Sequence, residues 1–333
     1  MKKFLFLILI IIIVLGAILW FWNFGKNQSM EFGVTFSKPQ AEYLGLDWQK
    51  TYTQILDDLG ARRLRLLAYW PEIEKEEGRY DFGSLDWQIK EAKKRQARII
   101  LVIGRRLPHW PECHVPEWAN KYPENQLQEK ILRLEKEIIN RYKKESSIIM
   151  WQVDNEPLVN WFGTCPPPDP VFVKSEIAFV KANDFRPILI TDSGELSFWW
   201  RAAHLGGDFF GTTMYRVVWN SLFNNYFEYK YLVPPAFYNL KARVNGLYPA
   251  SVIIAELQAE PWLREDISKV SLVEQRRSMN ALKLEQTASF ARRTGFGQAY
   301  FWGVEYWYWL KEKKSDDSMW WTAKQIFKEE LSK

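Results

Sequence analysis

The sequence predicts an α/β chain closed into a (β/α)8 barrel, preceded by one apolar helix. Three observations lead there. Beyond residue 30, short apolar runs alternate with amphipathic ones, eight times in about 300 residues. The short runs carry apolar residues on both faces rather than at every second position only, as in strands of a parallel sheet covered on both faces. No Gly-x-Gly-x-x-Gly follows the first run, which argues against an open dinucleotide-binding sheet, and eight units favour closure.

Met1-Lys2-Lys3 precede an uncharged run from Phe4 through Trp22. At about 1.5 Å per residue a run of this length spans a bilayer core of about 30 Å. It ends in Leu19-Trp20-Phe21-Trp22, an interfacial aromatic belt rather than a small-residue cleavage site. The expectation is a cytoplasmic stub (1–3), a transmembrane signal-anchor (4–22) and a linker (23–30). The catalytic or binding domain (31–333) then lies outside the cytoplasm; a cleaved signal peptide is the alternative.

Strands are expected at 32–36, 64–69, 99–103, 148–153, 187–191, 209–215, 252–255 and 299–304. Helices follow at 48–59, 86–96, 125–143, 171–182, 196–204, 237–244, 273–293 and 323–331. Residues 206–250 are the loosest part, rich in aromatic residues and broken by Pro234-Pro235. No second domain is visible.

The composition is 47% hydrophobic and 26% charged, with 16% aromatic residues including 18 Trp. Buried indoles need a partner for the N–H. So many imply, besides a Trp-rich core, a cleft whose rings stack on flat, weakly polar ligands such as sugars. The net charge of +5, from 45 basic and 40 acidic residues, does not require a nucleic-acid partner. Cys113 and Cys165 have no CxxC spacing and no metal-ligand spacing with the three histidines, so no metal or cofactor is expected. Both fall in loops after strands three and four; two free thiols and one disulfide across the rim remain open.

Sites in such barrels form at the C-terminal ends of the strands. The fourth predicted strand ends Gln152-Val153-Asp154-Asn155-Glu156-Pro157, and the seventh runs Ile253-Ile254-Ala255-Glu256. A Glu directly after an apolar strand is costly unless it is paired or wet. Glu260-Pro261 imitates Glu156-Pro157 but lies in a loop, so Glu256 is preferred. Two opposed carboxyls, one protonated and one charged, are what glycoside hydrolysis needs. His109, His114 and Asp154 also lie near strand ends without forming a metal triad.

On these residues the chain resembles clan A of the retaining glycoside hydrolases, the superfamily of cellulases, β-mannanases and β-galactosidases whose fold is the TIM barrel. The resemblance covers roughly residues 31–331. It rests on Asn155-Glu156-Pro157 ending strand four with Glu256 on strand seven, about 100 residues later. It implies that Glu156 is the acid/base, Glu256 the nucleophile, and Asn155 the group that binds the sugar 2-hydroxyl. It further matches Arg65 to an arginine beside the nucleophile; Arg62 and Arg63 are its neighbours, and one of the three serves the surface. Tyr215 matches a tyrosine that hydrogen-bonds the nucleophile. Trp302 matches the indole under the cleaved sugar, in competition with Trp307 and Trp309. Where the family often has a histidine on strand six, this chain has Met214-Tyr215-Arg216, which leaves the sugar open. The implied function is hydrolysis or transfer of a β-linked glycoside by double displacement without a cofactor, on an oligo- or polysaccharide. The alternative is a catalytically silent glycan-binding barrel at the cell surface, which has no need of opposed carboxylates.

Overall fold

A computed structural model describes residues 6, 14, 16–26, 28–229 and 232–331. Eight parallel strands close a barrel: β1 (Glu31–Phe36), β2 (Arg63–Leu67), β3 (Arg98–Ile103), β4 (Ile148–Val153), β5 (Ile188–Asp192), β6 (Phe209–Met214), β9 (Val252–Gln258) and β10 (Gln298–Trp302). β10 pairs back onto β1, with Glu31 opposite Gln298 and Thr35 opposite Trp302. The two strands outside the barrel, β7 (Val217–Asn220) and β8 (Asn225–Glu228), form an antiparallel hairpin between the sixth and seventh barrel strands. The seventh and eighth predicted strands are therefore β9 and β10.

Most barrel-strand residues are buried because each strand faces the interior on one side and helices on the other. Ile100, Met150, Leu189, Ile253 and Tyr300 come from five strands, not all neighbours, and meet through the interior. The larger apolar cluster lies between the barrel wall and the helices. Local caps set the helix starts: Asp47 accepts from the N–H groups of Gln49 and Lys50, and Asp169 from those of Val171 and Phe172, with Pro170 in the first turn.

Four expectations are corrected. The helix expected at 273–293 is two, Leu272–Ser278 and Ala281–Arg292, because Met279 and Asn280 are extended and the Asn280 side chain caps the second at Lys283 N–H. The helix expected at 196–204 is the single turn Trp200–Ala203. Helix Val304–Lys314 follows β10 directly. The seventh barrel strand runs to Gln258, so Glu256 lies within it rather than just after it.

The expected anchor, 4–22, lies largely outside the described residues. Among the described residues no helix is long and apolar enough to cross a membrane. Its described end, residues 16–21, is helical. This end and the linker behind it are fastened to the turn before β10, at the end of the barrel opposite the C-terminal strand ends. Arg293 Nη2 donates to Trp20 O at 2.6 Å. Gly25 lies so close that a Cβ there would stand 1.7 Å from Arg292 O, and Phe24 packs against Gly295.

Candidate active site

Arg65, in the middle of β2, points into the barrel and is wholly buried. A buried guanidinium must be paired and hydrogen-bonded. Its Nε donates to Gln152 Oε1 at 2.8 Å, Nη2 to Asn155 Oδ1 at 2.7 Å and Nη1 to Glu256 Oε1 at 3.2 Å. The other Glu256 oxygen accepts from the Tyr215 hydroxyl at 2.8 Å. One arginine thus joins β2, the end of β4 and β9, and holds both the Glu256 carboxylate and the Asn155 amide in fixed orientation. Arg62 is exposed and donates to Leu56 O, while Arg63 pairs with Glu31.

The exit from β4 is strained. Asp154 and Glu156 have φ of 54° and 47°, a region that costs a non-glycine residue of order 1–3 kcal/mol. Neighbouring loops hold it there. Asp154 Oδ1 accepts from Arg106 N–H at 2.9 Å, Asn155 N–H donates to Arg106 O at 2.6 Å, and Glu156 N–H donates to Thr191 Oγ1 at 2.8 Å. The bend brings Glu156 into the mouth beside Asn155. Burial raises the Glu156 carboxyl well above the usual carboxylate range, and the charge of Glu256 raises it further. Glu256, by contrast, has a guanidinium on one oxygen and a phenol on the other.

Trp302 ends β10 and is 8% exposed; His109 from the third loop stacks on it, with ring centroids 3.9 Å apart. Burial drives the His109 imidazole down to about 3, so it is neutral. Trp307 is a core residue whose Nε1 donates to Ala259 O at 2.6 Å, and Trp309 lies in the same buried helix. Glu260 is not among the acceptors of Arg65; its Oε2 has no hydrogen-bond partner among the described residues, and burial raises it to about 7.

Two carboxyls that sequence reasoning passed over belong to this mouth. Glu195, in the loop after β5, accepts from Tyr215 N–H at 2.9 Å and from the Tyr238 hydroxyl at 2.5 Å, which fixes Tyr215 against Glu256. A polar run directly after an apolar strand, Asp192-Ser193-Gly194-Glu195, was the available signal. Glu112 in the third loop stands 3.5 Å from Asn155 Nδ2. The following residue, Cys113, is disulfide-bonded to Cys165 with Cα atoms 5.3 Å apart, closing the pairing left open above.

No protein-family model and no curated protein matches the sequence. Among solved structures, the fold is similar to xylanase 10B from Thermotoga petrophila RKU-1 in complex with xylobiose (TM-score 0.57, 12% identity, 92% of this chain and 97% of that one). It is also similar to a GH5_18 protein from Streptomyces cattleya in complex with GlcNAc (0.59, 12%, 83% and 70%). A β-galactosidase from Halorubrum lacusprofundi gives 0.60 at 12% identity, over 91% of this chain and 58% of that one. At these identities the likeness is one of fold.

Proposed function

We propose that the chain is a retaining glycoside hydrolase, and the observation that carries the reading is the unlike surroundings of its two mouth carboxyls. Glu256 has a guanidinium and a hydroxyl on its oxygens, whereas Glu156 is buried and raised. A charged nucleophile beside a protonated acid is the pairing that double displacement requires. That the solved relatives in fold include xylanases and β-galactosidases agrees with it.

In the first step a Glu256 oxygen attacks the anomeric carbon while Glu156 gives its proton to the departing oxygen. The glycosidic bond breaks and a glycosyl ester forms. In the second, Glu156 takes a proton from water, the water oxygen attacks the same carbon, and the ester bond returns its electrons to Glu256. Arg65 steadies the nucleophile's charge, Asn155 meets the substituent at C2, Tyr215 orients Glu256, and Trp302 lies under the sugar. Residues 4–22 anchor the chain in a membrane with 1–3 on the cytoplasmic side. Because the linker is fastened to the far end of the barrel, the mouth opens away from the bilayer, toward an oligo- or polysaccharide outside the cell.

The test is turnover of a panel of aryl β-glycosides, with the anomer of the first-formed product followed by proton NMR. The expected product keeps the β configuration. Appearance of the α anomer first, or no turnover of any glycoside, defeats the reading.

A further inference from the structure

Glu112 stands in the mouth, yet neither step of the proposed reaction uses it. Two loops are shaped to seat it. Its N–H donates to His109 O and its carbonyl accepts from Leu107 N–H, each at 2.8 Å, and Cys113 beside it is tied to Cys165. Across from it lies Gly163, with φ of +84°; a Cβ there would stand 2.8 Å from both Cβ and Cγ of Glu112. The seated residue is 6% exposed, and Oε2 is its oxygen near Asn155 Nδ2.

No cation among the described residues closes an ion pair with this carboxyl. Arg65 is committed to Glu256, Gln152 and Asn155. Arg106 lies over the Phe162 ring and donates to Val159 O. Burial and the charge of Glu256 push Glu112 up to about 8 against the pull of Arg106 and Arg65. A carboxyl held this firmly and paired this poorly is costly unless something bound supplies the missing partner.

Its position says which atom of a substrate it meets. Arg65 links Glu256 through one Nη and Asn155 through the other, so the Asn155 amide flanks the nucleophile. A group flanking the attack on the anomeric carbon reaches the substituent on the next carbon, and the carboxyl beside that amide reaches the same substituent. We propose that the sugar in the cleaved subsite carries a free amine at C2, its ammonium held by Glu112 with Asn155 alongside. This 2-amino-2-deoxy glycoside specificity rests on the glycosidase reading above. An ammonium draws Glu112 into its charged form and makes a charge-assisted hydrogen bond to it, whereas beside a neutral hydroxyl the carboxyl keeps its proton and gains no such bond. Acetylation removes that charge and adds bulk at C2.

The experiment compares three 4-nitrophenyl β-D-glycosides that differ only at C2, bearing amine, hydroxyl or acetamide, on the full chain in detergent near pH 6. The amine substrate is expected to have the highest kcat/KM, by about tenfold or more over the hydroxyl substrate, with the acetamide slowest. Glu112→Gln is expected to bring the amine-to-hydroxyl ratio down to about one; the ratio, not the absolute rate, reads the pairing. A wild-type preference for hydroxyl or acetamide overturns the proposal without any variant, as does a ratio unchanged in a folded Glu112→Gln protein. Turnover of the hydroxyl substrate alone removes only this specificity, while turnover of none removes the glycosidase reading itself.

Discussion

Two sets of buried carboxyls in this barrel are built on different plans. At the mouth, Glu112, Glu156 and Glu256 surround Asn155, and Glu256 is salt-bridged to Arg65. Outside the barrel, Glu135 on helix Glu124–Tyr142 and Glu176 on helix Pro170–Asn183 are wholly buried between helices that pack together. None of the four oxygens of that outer pair has a hydrogen-bond partner among the described residues. Burial raises both outer carboxyls well above the usual range, as it raises Glu156. A raised carboxyl is therefore not in itself a mark of catalysis here. What separates the mouth is asymmetry: one carboxyl, Glu256, has a guanidinium on one oxygen and a phenol on the other, while its neighbour Glu156 is raised by burial, whereas neither outer carboxyl has a side-chain partner among the described residues.

The largest effect expected from this contrast is on the nucleophile. Glu256→Ala should lower kcat by on the order of 10⁴-fold or more on every glycoside, since no covalent intermediate forms. Glu156→Ala should cost about 10²–10⁴-fold, most on substrates with poor leaving groups, and azide should restore part of the rate by attacking the intermediate without a base. Glu135→Gln and Glu176→Gln should leave kcat/KM within about twofold, because both lie outside the mouth. An activity loss in either of the last two comparable to Glu156→Ala would erase the distinction between the two sets.

Arg65 comes next. Arg65→Met removes the cation from a buried pair and leaves Glu256 uncompensated, a change that typically costs about 3–5 kcal/mol of stability. Activity should fall by about 10²–10³-fold, as when one preorganised donor is removed from an active site. Arg65→Lys keeps the charge but cannot reach Gln152, Asn155 and Glu256 together, so it should restore stability more than rate. Thermal denaturation alongside kcat/KM separates the two; equal recovery of both would mean that Arg65 acts by charge alone rather than by orienting Asn155 and Glu256.

The same contrast bears on what the sequence revealed. Glu156 and Glu256 stood out because each follows an apolar strand run, where a polar residue needs a reason. Arg65 and Asn155 stood out through the family resemblance. Glu112 did not, for it lies in Pro108-His109-Trp110-Pro111-Glu112-Cys113, a polar loop without periodicity. Its burial depends on a disulfide partner and a glycine about 50 residues away. The barrel was legible from eight apolar runs, but helix Val304–Lys314 was not: from Val304 to Leu310 it is buried on every side and shows no amphipathic stripe. The hairpin was missed because its turn, Ser221-Leu222-Phe223-Asn224, has no glycine to announce it. The helix break at Met279-Asn280 has neither Gly nor Pro, only the Asn280 cap.

The smallest expected effect is on how stability depends on pH. The outer pair is raised in the folded state, so between the ordinary Glu value of about 4.5 and its raised folded values the native chain binds more protons than the unfolded one. Stability from such groups is full below the unfolded value and is lost as pH rises toward the folded one. Glu112 and Glu305, the latter wholly buried in the first turn of helix Val304–Lys314, are each pushed up to about 8 and add to the loss. His109, lowered to about 3, His114, also lowered, and Lys241, lowered to about 8, work the other way, the histidines less and less above their usual value of 6.5. From about pH 6.5 to 8 the raised carboxyls outnumber these groups, and Tm of the wild-type protein should fall. In the Glu135→Gln, Glu176→Gln double variant two proton-binding groups are gone and each amide needs no proton to remain neutral. Its Tm should therefore fall less over the same interval and overtake the wild type toward pH 8, by a few degrees. A Tm that rises in the wild type from pH 6.5 to 8, or a double variant with an unchanged slope, would show that the outer carboxyls are charged in the folded protein and paired by something other than each other.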